Sequence, residues 1–597
     1  MESARANQGA GTSFSKGWPI HMTETGKRIV IIGGVACGPK AAARARRCDP
    51  HAHITMIEQG EFVSFAGCGM PYYIAGAVPE KEGLMTTTTG YVRDPEYFRK
   101  MKNVDTLTFT RADRIDRENK LVLVTNLKTG ETAQIPYDKL VIATGARPIV
   151  PPLEGINLKG IYTLRSLEEA IEIRKTIEEN MELENAVIVG GGRISLEVTD
   201  AFANQGVDAT IVELLDSLLA TMLDPELALY LEHTLKKHGM TIRTGEKVLR
   251  FEGDADGRVA KVVTDKREIE TQMAIVAVGV RPNVDLARNA GLEIGDTGCI
   301  KVNAHMQTSD PDIYAGGDCV ETNNLVTGKK CFMPLGSVAN RQGRVIGDNI
   351  TGFSSDTYPG VVGTSMLKAL DLNVGKAGLT EFEAAKNGFD PVSIITPAAD
   401  KSHFYPGGKT LLIKMVADRK TERLLGVQVI GPGDMPRAID TVAAALTAQM
   451  TLQQFANMDV GYAPPYASAI SILAQCANAL RNKISGLGKT ISLQDFKTRL
   501  EGDGDFVLFD MRKDNETANY KINDKRYMQI PMHELPDRVG ELPEGKEIIA
   551  VCQIGNRSYE TCCMLRGKGI EDAVYLEGGM SAWMKTFDFG GGGESEE

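Results

Sequence analysis

The sequence predicts a multidomain protein of the α/β class. Its 597 residues exceed what one hydrophobic core usually organises. It contains two copies of a strand, glycine turn, helix and strand, and a third stretch of alternating strands and helices towards its C-terminal end. Hydrophobic residues make up 42% and charged residues 24%, as in ordinary globular proteins. No apolar run is long enough to cross a bilayer, so we expect no membrane segment.

The first glycine turn follows the apolar strand KRIVII. Gly33 permits a tight turn and Gly38 lets the following helix pack closely, so that helix N-terminal amides face a pyrophosphate. Glu58 ends the second strand, where a carboxylate accepts the ribose hydroxyls of an adenosine. Val35 occupies the usual second-glycine position, so this unit alone leaves a generic strand-to-helix turn open as the alternative.

The second glycine turn repeats this arrangement with Gly190 and Gly192, and its second strand ends in Glu213. Ser195 stands in place of the third glycine and is small enough for close packing. A carboxylate at Glu213 favours a free ribose 2′-hydroxyl, and no Arg or Lys occurs in the following segment LLDSLLATMLD to receive a 2′-phosphate. We therefore expect NADH rather than NADPH.

Three further segments, KLVIATGARP, AIVAVGVRPN and DIYAGGDC, follow in a fixed order around the second unit. With them, the sequence resembles the two-dinucleotide flavoprotein disulfide reductases. The resemblance implies that FAD is held by Gly33, Gly34, Gly38, Glu58, Thr144, Gly145 and Asp318. It implies that NADH is held by Gly190, Gly192, Glu197 and Glu213.

Cys68 lies between two glycines in the segment SFAGCGMPYYIAG. Disulfide reductases that use an internal cysteine pair carry the second thiol a few residues away, yet nothing from Gly69 to Lys102 is a cysteine. We therefore expect the partner sulfur to come from outside the chain. We expect NADH to reduce FAD, the flavin to deliver electrons to a mixed disulfide or persulfide of Cys68, and the freed thiolate to attack the next substrate. The alternative is a buried structural cysteine.

The same segment resembles the coenzyme A-disulfide reductases, whose motif reads close to SFANCGLPYYIG. Here Gly67 replaces the asparagine, and Cys37 replaces a glycine of the first turn. The resemblance implies that coenzyme A (CoA) is contacted by Arg44, Arg47, Ser64, Lys102 and Asn340. The alternative for the basic residues is an ordinary solvated helix surface.

The segments from about residue 351 to 482 resemble the dimerisation region of this family. The resemblance implies a homodimer in which tyrosines of each subunit enter the partner's active site and protonate the departing sulfur. Tyr462 in GYAPPY matches one such position. The segment HFYPG offers both Phe404 and Tyr405 at the other, and we favour Tyr405.

Cys552 follows an apolar strand and opens the loop CQIGNR, before a helix expected to begin near Ser558. Loop amides and the helix N-terminus can surround an anionic sulfur. The domain resembles rhodanese, with Asp510, Arg512 and the segment GGMSAW at flanking motifs. The resemblance implies a persulfide on Cys552, cradled by Gln553, Ile554, Gly555, Asn556 and Arg557. Open alternatives are an inactive rhodanese-like module and a core cysteine.

Charge and cysteine usage limit the environment and partners. A net charge of −11 argues against a nucleic-acid surface. The ten cysteines lack paired metal-type spacings, and the sequence shows no secretory leader. We therefore expect reduced thiols, no metal and a cytoplasmic location. Cys562 and Cys563 are interpreted as packing residues.

These interpretations predict two dinucleotide-binding Rossmann-like domains, an α+β dimerisation domain and a C-terminal rhodanese α/β domain. The expected boundaries are 1–22 for an expression leader, 23–147 and 275–350 for the FAD domain, 148–274 for the NAD(H) domain, 351–482 for dimerisation, 483–489 for a linker, 490–589 for rhodanese and 590–597 for a tail.

The predicted function is NADH- and FAD-dependent reduction of CoA persulfide, polysulfide or CoA disulfide at Cys68, coupled to sulfur transfer at Cys552. A rival is an NADH oxidase or peroxidase that uses Cys68 as a sulfenic acid. Peroxidase relatives carry a histidine where this chain has Ala36. A non-enzymatic rival is a redox-sensing or sulfur-delivery protein.

Overall fold

The computed structural model describes residues 26–180 and 183–587. The predicted leader and tail, 1–22 and 590–597, lie outside the described residues. Over these ranges, no helix is both long and apolar enough to cross a membrane. A cluster of His, Cys, Asp and Glu side chains able to hold a metal ion is also absent from the described part of the chain.

A five-stranded parallel sheet carries the first glycine turn. Its strands, in spatial order, are Ile313–Ala315, Lys139–Ile142, Arg28–Ile32, His53–Ile57 and Asp105–Leu107. The outermost strand comes from far along the chain, so the second glycine unit is inserted into the first. The sheet is accompanied by helices Cys37–Cys48, Met70–Ile74, Pro95–Lys102 and Gly336–Thr351, and by the antiparallel strands Thr110–Asp116, Leu121–Asn126 and Thr132–Pro136.

Two helices of this domain, Cys37–Cys48 and Gly336–Thr351, pack unusually closely. A Cβ atom added to Gly343 would lie 2.5 Å from the carbonyl oxygen of Cys37, and one added to Gly347 would lie 2.5 Å from the Cβ atom of Arg44. Glycine is therefore required at both contacts. The helix Gly336–Thr351 therefore lies directly beside the helix that follows the first glycine turn.

A second parallel sheet carries the second glycine turn. Its strands are Thr241–Arg243, Asp208–Val212, Asn185–Val189, Met273–Val276 and Ile161–Tyr162. Its helices are Leu167–Glu179, Arg193–Asn204 and Pro225–Lys237, and an antiparallel sheet of Val248–Gly253, Val259–Thr264 and Glu268–Glu270 covers it. Strands Ala146–Pro148 and Val280–Pro282 pair where the chain enters and leaves this unit. Helix Asp285–Asn289 and the paired strands Glu321–Asn323 and Lys330–Phe332 complete the connection back.

An antiparallel sheet follows, with strands in the order Ser365–Ala369, Leu372–Gly378, Leu424–Gly431, Thr410–Asp418 and Pro391–Ala399. The central strand Leu424–Gly431 is buried along its whole length, because helices cover one face and the second glycine unit covers the other. The helices are Glu381–Lys386, Pro436–Thr447, Leu452–Ala456 and Ile472–Ile484.

The last unit is a parallel sheet with strands Thr490–Ile491, Ala573–Leu576, Glu547–Val551, Phe506–Asp510 and Tyr527–Gln529. Its helices are Leu493–Glu501, Asp514–Asn519, Leu535–Arg538, Asn556–Gly567 and Gly579–Thr586. The helix after Cys552 begins at Asn556, slightly earlier than the predicted Ser558. Gly555 caps it with a φ of 96°, a left-handed conformation that lets the loop end sooner than expected. Single 3₁₀ turns occur at Gly67–Gly69, Lys81–Leu84 and Val539–Glu541.

Candidate active sites

The first glycine turn has the backbone shape of a pyrophosphate site. A Cβ atom on Gly33 would lie 2.1 Å from the carbonyl oxygen of Ala143, and one on Gly38 would lie 1.8 Å from the oxygen of Gly33. The Gly34 amide donates to Glu58 at 2.7 Å, which holds the carboxylate at the strand end. No described side chain caps the following helix, so its first amides are available to an anion. These residues fit the FAD predicted there.

The second glycine turn repeats this geometry. Gly190 has a φ of 110°, and the Gly191 amide donates to the carboxylate of Glu213. No described atom lies within 4 Å of the Cβ position of Gly192, and no described side chain caps the helix that it begins. The turn thus leaves room for a phosphate group, and Ser195 is fully buried at the packing position predicted for it. These residues fit a nicotinamide dinucleotide.

Asp318 lies at the junction between the two units. Its carboxylate accepts a hydrogen bond from Arg165 at 2.8 Å, and Arg165 also donates to the carbonyl oxygen of Ala146 at 3.0 Å. The Gly317 amide next to it donates to the side chain of Gln342 at 2.8 Å. Arg165 and Gln342 were not predicted from the sequence, because neither belongs to a recognisable motif.

Thr144 and Gly145 lie in the strand connection between the same units. The Thr144 hydroxyl donates to the carbonyl oxygen of Asn283 at 2.7 Å, and the side-chain amide of Asn283 donates to the carbonyl oxygen of Thr144 at 2.9 Å. Gly145 has a φ of 66°, a left-handed conformation that favours glycine. The ATG segment thus forms a fixed crossing between the two units.

Cys68 is a free, exposed thiol in the 3₁₀ turn Gly67–Gly69. The preceding Ser64 has a φ of 52°, rare for a serine, and its amide donates to the carbonyl oxygen of Gly34 at 2.8 Å. This strained residue ties the cysteine segment to the first glycine turn. No described atom lies within 4 Å of the Cβ position of Gly67, so the site of the missing family asparagine is open.

The electrostatic surroundings of Cys68 come from both dinucleotide units. Burial of the thiol by surrounding protein raises its pKa, and the charges of Glu197 and Asp318 raise it further, whereas Arg193 and Arg165 lower it. The side chain is open to solvent on one side and desolvated on the other. The polypeptide alone therefore favours the protonated thiol, and formation of the thiolate requires additional stabilisation.

Three of the five residues predicted to contact CoA, Arg44, Arg47 and Asn340, lie on the packed helices Cys37–Cys48 and Gly336–Thr351. Arg44 is held by Asp348, with guanidinium nitrogens 2.5 and 2.7 Å from the same carboxylate oxygen. Arg47 is exposed three residues further along this helix, and Asn340 is exposed near the start of the packed partner helix. Lys102 lies half-buried beside the same helix end, since Arg46 donates to its carbonyl oxygen at 3.3 Å.

The two predicted tyrosines lie on loops that are joined to each other. Ser402 donates its amide to Pro464 at 3.2 Å and its hydroxyl to Ala467 at 2.8 Å, so the loops that carry Tyr405 and Tyr462 meet. Both tyrosines are exposed. Phe404 is also exposed on this loop, so the choice of Tyr405 stays a prediction.

The sulfur of Cys552 lies beneath its loop and accepts several hydrogen bonds. The amides of Gly555 and Ser558 donate to it at 3.2 and 3.4 Å, and the Ser558 hydroxyl lies 3.3 Å away. The side chain is 0% exposed, while Ile554 of the loop projects into solvent. This arrangement suits an anionic sulfur that is shielded until the loop admits a reactant.

Two ion pairs lie near this loop. Arg557 forms an ion pair with Glu516 at 2.5 Å, beside the loop. Asp510 and Arg512 are 1% exposed and form an ion pair at 2.8 Å. Cys562 is buried in the following helix, as expected of a packing residue, and Cys563 is half-buried beside the linker.

Comparison with known proteins identifies the scaffold. Residues 27–343, more than half of the chain, match the family model described as pyridine nucleotide-disulphide oxidoreductase. The chain belongs to the pyridine nucleotide-disulphide oxidoreductase family. Residues 365–474 match the dimerisation domain of that family, and residues 492–586 match the rhodanese-like domain.

Individual relatives of this oxidoreductase span most of its length. It is 40% identical over 455 residues to the NAD(P)H coenzyme A polysulfide/persulfide reductase of Pyrococcus horikoshii, covering 76% of this chain and 98% of that protein. It is similar to the solved structure of a NAD-dependent persulfide reductase from A. fulgidus, with a TM-score of 0.88, 42% identity, and coverage of 93% and 100%. It is also similar to the crystal structure of reduced Bacillus anthracis CoADR-RHD, with a TM-score of 0.87 and 34% identity, covering 94% of this chain and 99% of that chain.

Family membership confirms the predicted enzyme class and cofactors. The protein is a flavoprotein oxidoreductase that uses FAD and NAD(P)H, with an attached rhodanese-like domain. The fold class predicted from the sequence is confirmed as well.

Glu197 is expected to make the reactivity of Cys68 depend on pH in this oxidoreductase. Burial raises the pKa of Glu197 to about 7, although Arg193 opposes the shift. The carboxyl group is therefore neutral at acidic pH and becomes an anion near Cys68 as the pH rises. Because that anion disfavours the thiolate, we expect Glu197→Gln to speed alkylation of Cys68 by iodoacetamide severalfold at about pH 8 and hardly at all at about pH 6.

Alkylation of the Cys68 peptide, followed by mass spectrometry across pH, measures this effect. Asp200→Asn is the matched control, because Asp200 lies on the same helix and is not among the charges that contribute most to the pKa shift at Cys68. A rate ratio between the Glu197→Gln variant and the unaltered protein that is constant over this pH range contradicts the prediction.

Proposed function

We propose that this protein uses NADH and FAD to reduce CoA persulfide, polysulfide or CoA disulfide at Cys68, and that Cys552 carries sulfane sulfur in the same chain. One observation carries the proposal: Cys68 is an exposed free thiol where the two dinucleotide units meet. All ten cysteines lie in the described ranges and all are free, so no internal disulfide competes for this role. The substrate classes come from the names of the relatives.

The chemistry proposed for Cys68 is thiol–disulfide exchange. Its thiolate attacks one sulfur of R–S–S–R′, forming the bond Cys68–S–S–R and releasing R′–S⁻. Two electrons and one proton, supplied in the end by NADH, cleave that bond to the Cys68 thiolate and R–SH. When bound, FAD supplies the transfer of this electron pair from NADH to the sulfur side. With a persulfide as substrate, R′–S⁻ is hydrosulfide and the second product is the thiol R–SH.

The basic side chains along the helix Cys37–Cys48 support CoA as the carrier of the substrate sulfur. Arg47 is exposed, and Lys102 lies beside the same helix end. Arg44 is different, because Asp348 already occupies two of its nitrogens. We therefore assign Arg47 and Lys102 the larger share of phosphate binding, with Arg44 contributing its remaining N–H donors.

A homodimer is proposed as the working form. The match of residues 365–474 to a dimerisation domain supports it, as do the exposed tyrosines on two joined loops. In such a dimer Tyr462, and Tyr405 on the neighbouring loop, would protonate the departing sulfur in the partner's site. The ten free thiols support a reducing compartment such as the cytoplasm.

Product stoichiometry tests the proposed function directly. Under anaerobic conditions with excess NADH, we expect the protein to release one hydrosulfide for each CoA persulfide and each NADH consumed. With oxygen and no sulfur substrate, we expect NADH oxidation slower by about a hundredfold or more. Comparable rates with oxygen, or peroxide consumption without sulfide release, would instead favour the oxidase or peroxidase. Absence of both reactions would favour the sensing or delivery role.

A further inference from the structure

The rhodanese-like domain is fixed to the reductase by direct contacts rather than by the linker alone. The hydroxyl of Thr586, at the end of its last helix, donates to the carbonyl oxygen of Glu226 in the NAD(H) unit at 3.3 Å. The ammonium group of Lys585 lies 5.1 Å from the centre of the Tyr230 ring in the same unit. The domain that carries the Cys552 loop is therefore held against the NAD(H) unit.

One buried ion pair crosses this junction. Glu577 is 4% exposed and accepts hydrogen bonds from Lys483 at 2.5 Å and from the Thr490 hydroxyl at 2.6 Å. Lys483 lies in the last turn of the helix Ile472–Ile484 of the dimerisation unit and also donates to the carbonyl oxygen of Ser393 at 2.8 Å. This buried carboxylate is held in one position, because losing Lys483 leaves an uncompensated charge and losing the Thr490 hydroxyl removes a hydrogen bond from a buried acceptor.

The residues that follow Glu577 form the floor of the Cys552 loop. A Cβ atom on Gly579 would lie 2.4 Å from the carbonyl oxygen of Cys552. The Met580 amide donates to that same oxygen at 2.9 Å, and the Ser581 amide donates to the oxygen of Gln553 at 2.8 Å. Movement of Glu577 therefore moves the backbone that supports the sulfur.

The reductase also contacts this floor at Gly578. A Cβ atom on Gly578 would lie 3.2 Å from the side chain of Ile395, which belongs to the edge strand Pro391–Ala399 of the dimerisation unit. Gly578 has a φ of 70°, so it turns sharply between the ion pair and the loop. The floor is thus held between the reductase strand on one side and the sulfur-bearing loop on the other.

We infer that Lys483, a residue of the reductase, is a positioning residue for sulfur transfer at Cys552, acting through Glu577 and the Gly578–Met580 segment. The inference rests on the proposed role of Cys552 as a sulfur carrier. Because the Cys552 sulfur depends on loop amides at 3.2 and 3.4 Å, a small displacement of the floor weakens those hydrogen bonds.

The reaction that reports on this positioning has two steps. The Cys552 thiolate attacks the outer sulfur of thiosulfate, forming a Cys552 persulfide anion and releasing sulfite. Cyanide then takes the outer sulfur, forming thiocyanate and restoring the Cys552 thiolate. The loop amides stabilise both the thiolate and the persulfide, whereas Lys483 touches neither reactant.

Lys483→Met in the full chain tests the inference. We expect kcat for thiocyanate formation to fall between about tenfold and a hundredfold, with the KM for thiosulfate changed less than about twofold. Glu577→Gln keeps the side-chain volume and is expected to lower kcat less. Lys483→Arg keeps the charge and is expected to restore most of the rate, which a merely packing role would not produce.

Lys376→Met is the matched control, because Lys376 is another lysine of the dimerisation unit that pairs with a glutamate, Glu383, and donates to a backbone carbonyl oxygen, that of Thr221, at 2.8 Å. It touches no residue of the Cys552 floor and is expected to leave thiocyanate formation unchanged. NADH-driven reduction at Cys68 is measured in every variant, with thermal unfolding alongside.

Three results would overturn the inference: an unchanged kcat in the Lys483→Met and Glu577→Gln variants, an equal loss in Lys376→Met, or no recovery in Lys483→Arg. If Lys483→Met does not fold, Glu577→Gln and Lys483→Arg decide alone. Cys552→Ser separates this from the role of Cys552 itself. Thiocyanate formation that survives in Cys552→Ser contradicts the sulfur-carrier role, whatever the junction variants do.

Discussion

Replacing Cys68 with serine is expected to lower NADH-driven reduction of CoA persulfide and CoA disulfide by at least about a thousandfold. A hydroxyl at this position cannot form the mixed disulfide, and no other described thiol can substitute, since the remaining cysteines lie in other segments of the chain. The measurement is the anaerobic, substrate-dependent loss of NADH absorbance. Thiocyanate formation at Cys552 is expected to continue at its usual rate.

The control for this loss is Cys563→Ser. Cys563 is a half-buried thiol of the rhodanese-like domain that contacts the linker, and its replacement is expected to leave NADH-driven reduction unchanged. Bound flavin, followed by its absorbance, shows whether the Cys68→Ser variant still holds its cofactor. Turnover that persists in a flavin-loaded Cys68→Ser protein would remove Cys68 from the mechanism.

Much of the scaffold could be predicted because glycine motifs report on backbone conformation locally. Gly33 and Gly190 have φ values of 113° and 110°, and a side chain at either would collide with a carbonyl oxygen of the neighbouring strand connection. The acids at the strand ends also lie where the pattern places them, each bound to an amide of its glycine turn. Short-range constraints of this kind leave a clear signature in the sequence.

The rest of the candidate site depends on contacts between distant segments, which leave no such signature. Arg165 reaches Asp318 across more than a hundred residues of chain, and Gln342 supports the neighbouring amide from a third segment. The φ of 52° at Ser64 is likewise invisible in the sequence, because serine rarely adopts that conformation and no residue type announces it.

Arg44 has an ion-pair partner that the sequence pattern does not reveal. The sequence places an arginine on the expected helix face, but its partner Asp348 lies in a helix about three hundred residues later. Only the close packing made possible by Gly347 brings the two together. The charge of Arg44 is thus paired with that of Asp348 in the folded protein. We therefore expect Arg47 and Lys102 to contribute most of the phosphate binding.

Replacing Cys552 with serine is expected to abolish thiocyanate formation from thiosulfate and cyanide, to below about one thousandth of the unaltered rate. The loop amides at 3.2 and 3.4 Å surround this one sulfur, and no other described cysteine shares that environment. Serine preserves the hydrogen bonding of the loop, so folding is expected to be retained. Reduction of CoA persulfide added from solution is expected to continue, because Cys68 needs only a sulfur partner that reaches it.

Comparison of two substrates gives this prediction its sharpest form. CoA persulfide already carries its sulfane sulfur, whereas thiosulfate with free CoA must first be processed by a sulfur carrier. If Cys552 supplies Cys68, the Cys552→Ser variant loses NADH oxidation with thiosulfate and CoA while it keeps NADH oxidation with CoA persulfide. The Cys563→Ser variant should keep both. Equal retention of both reactions in Cys552→Ser would mean that the two thiols of this chain work independently.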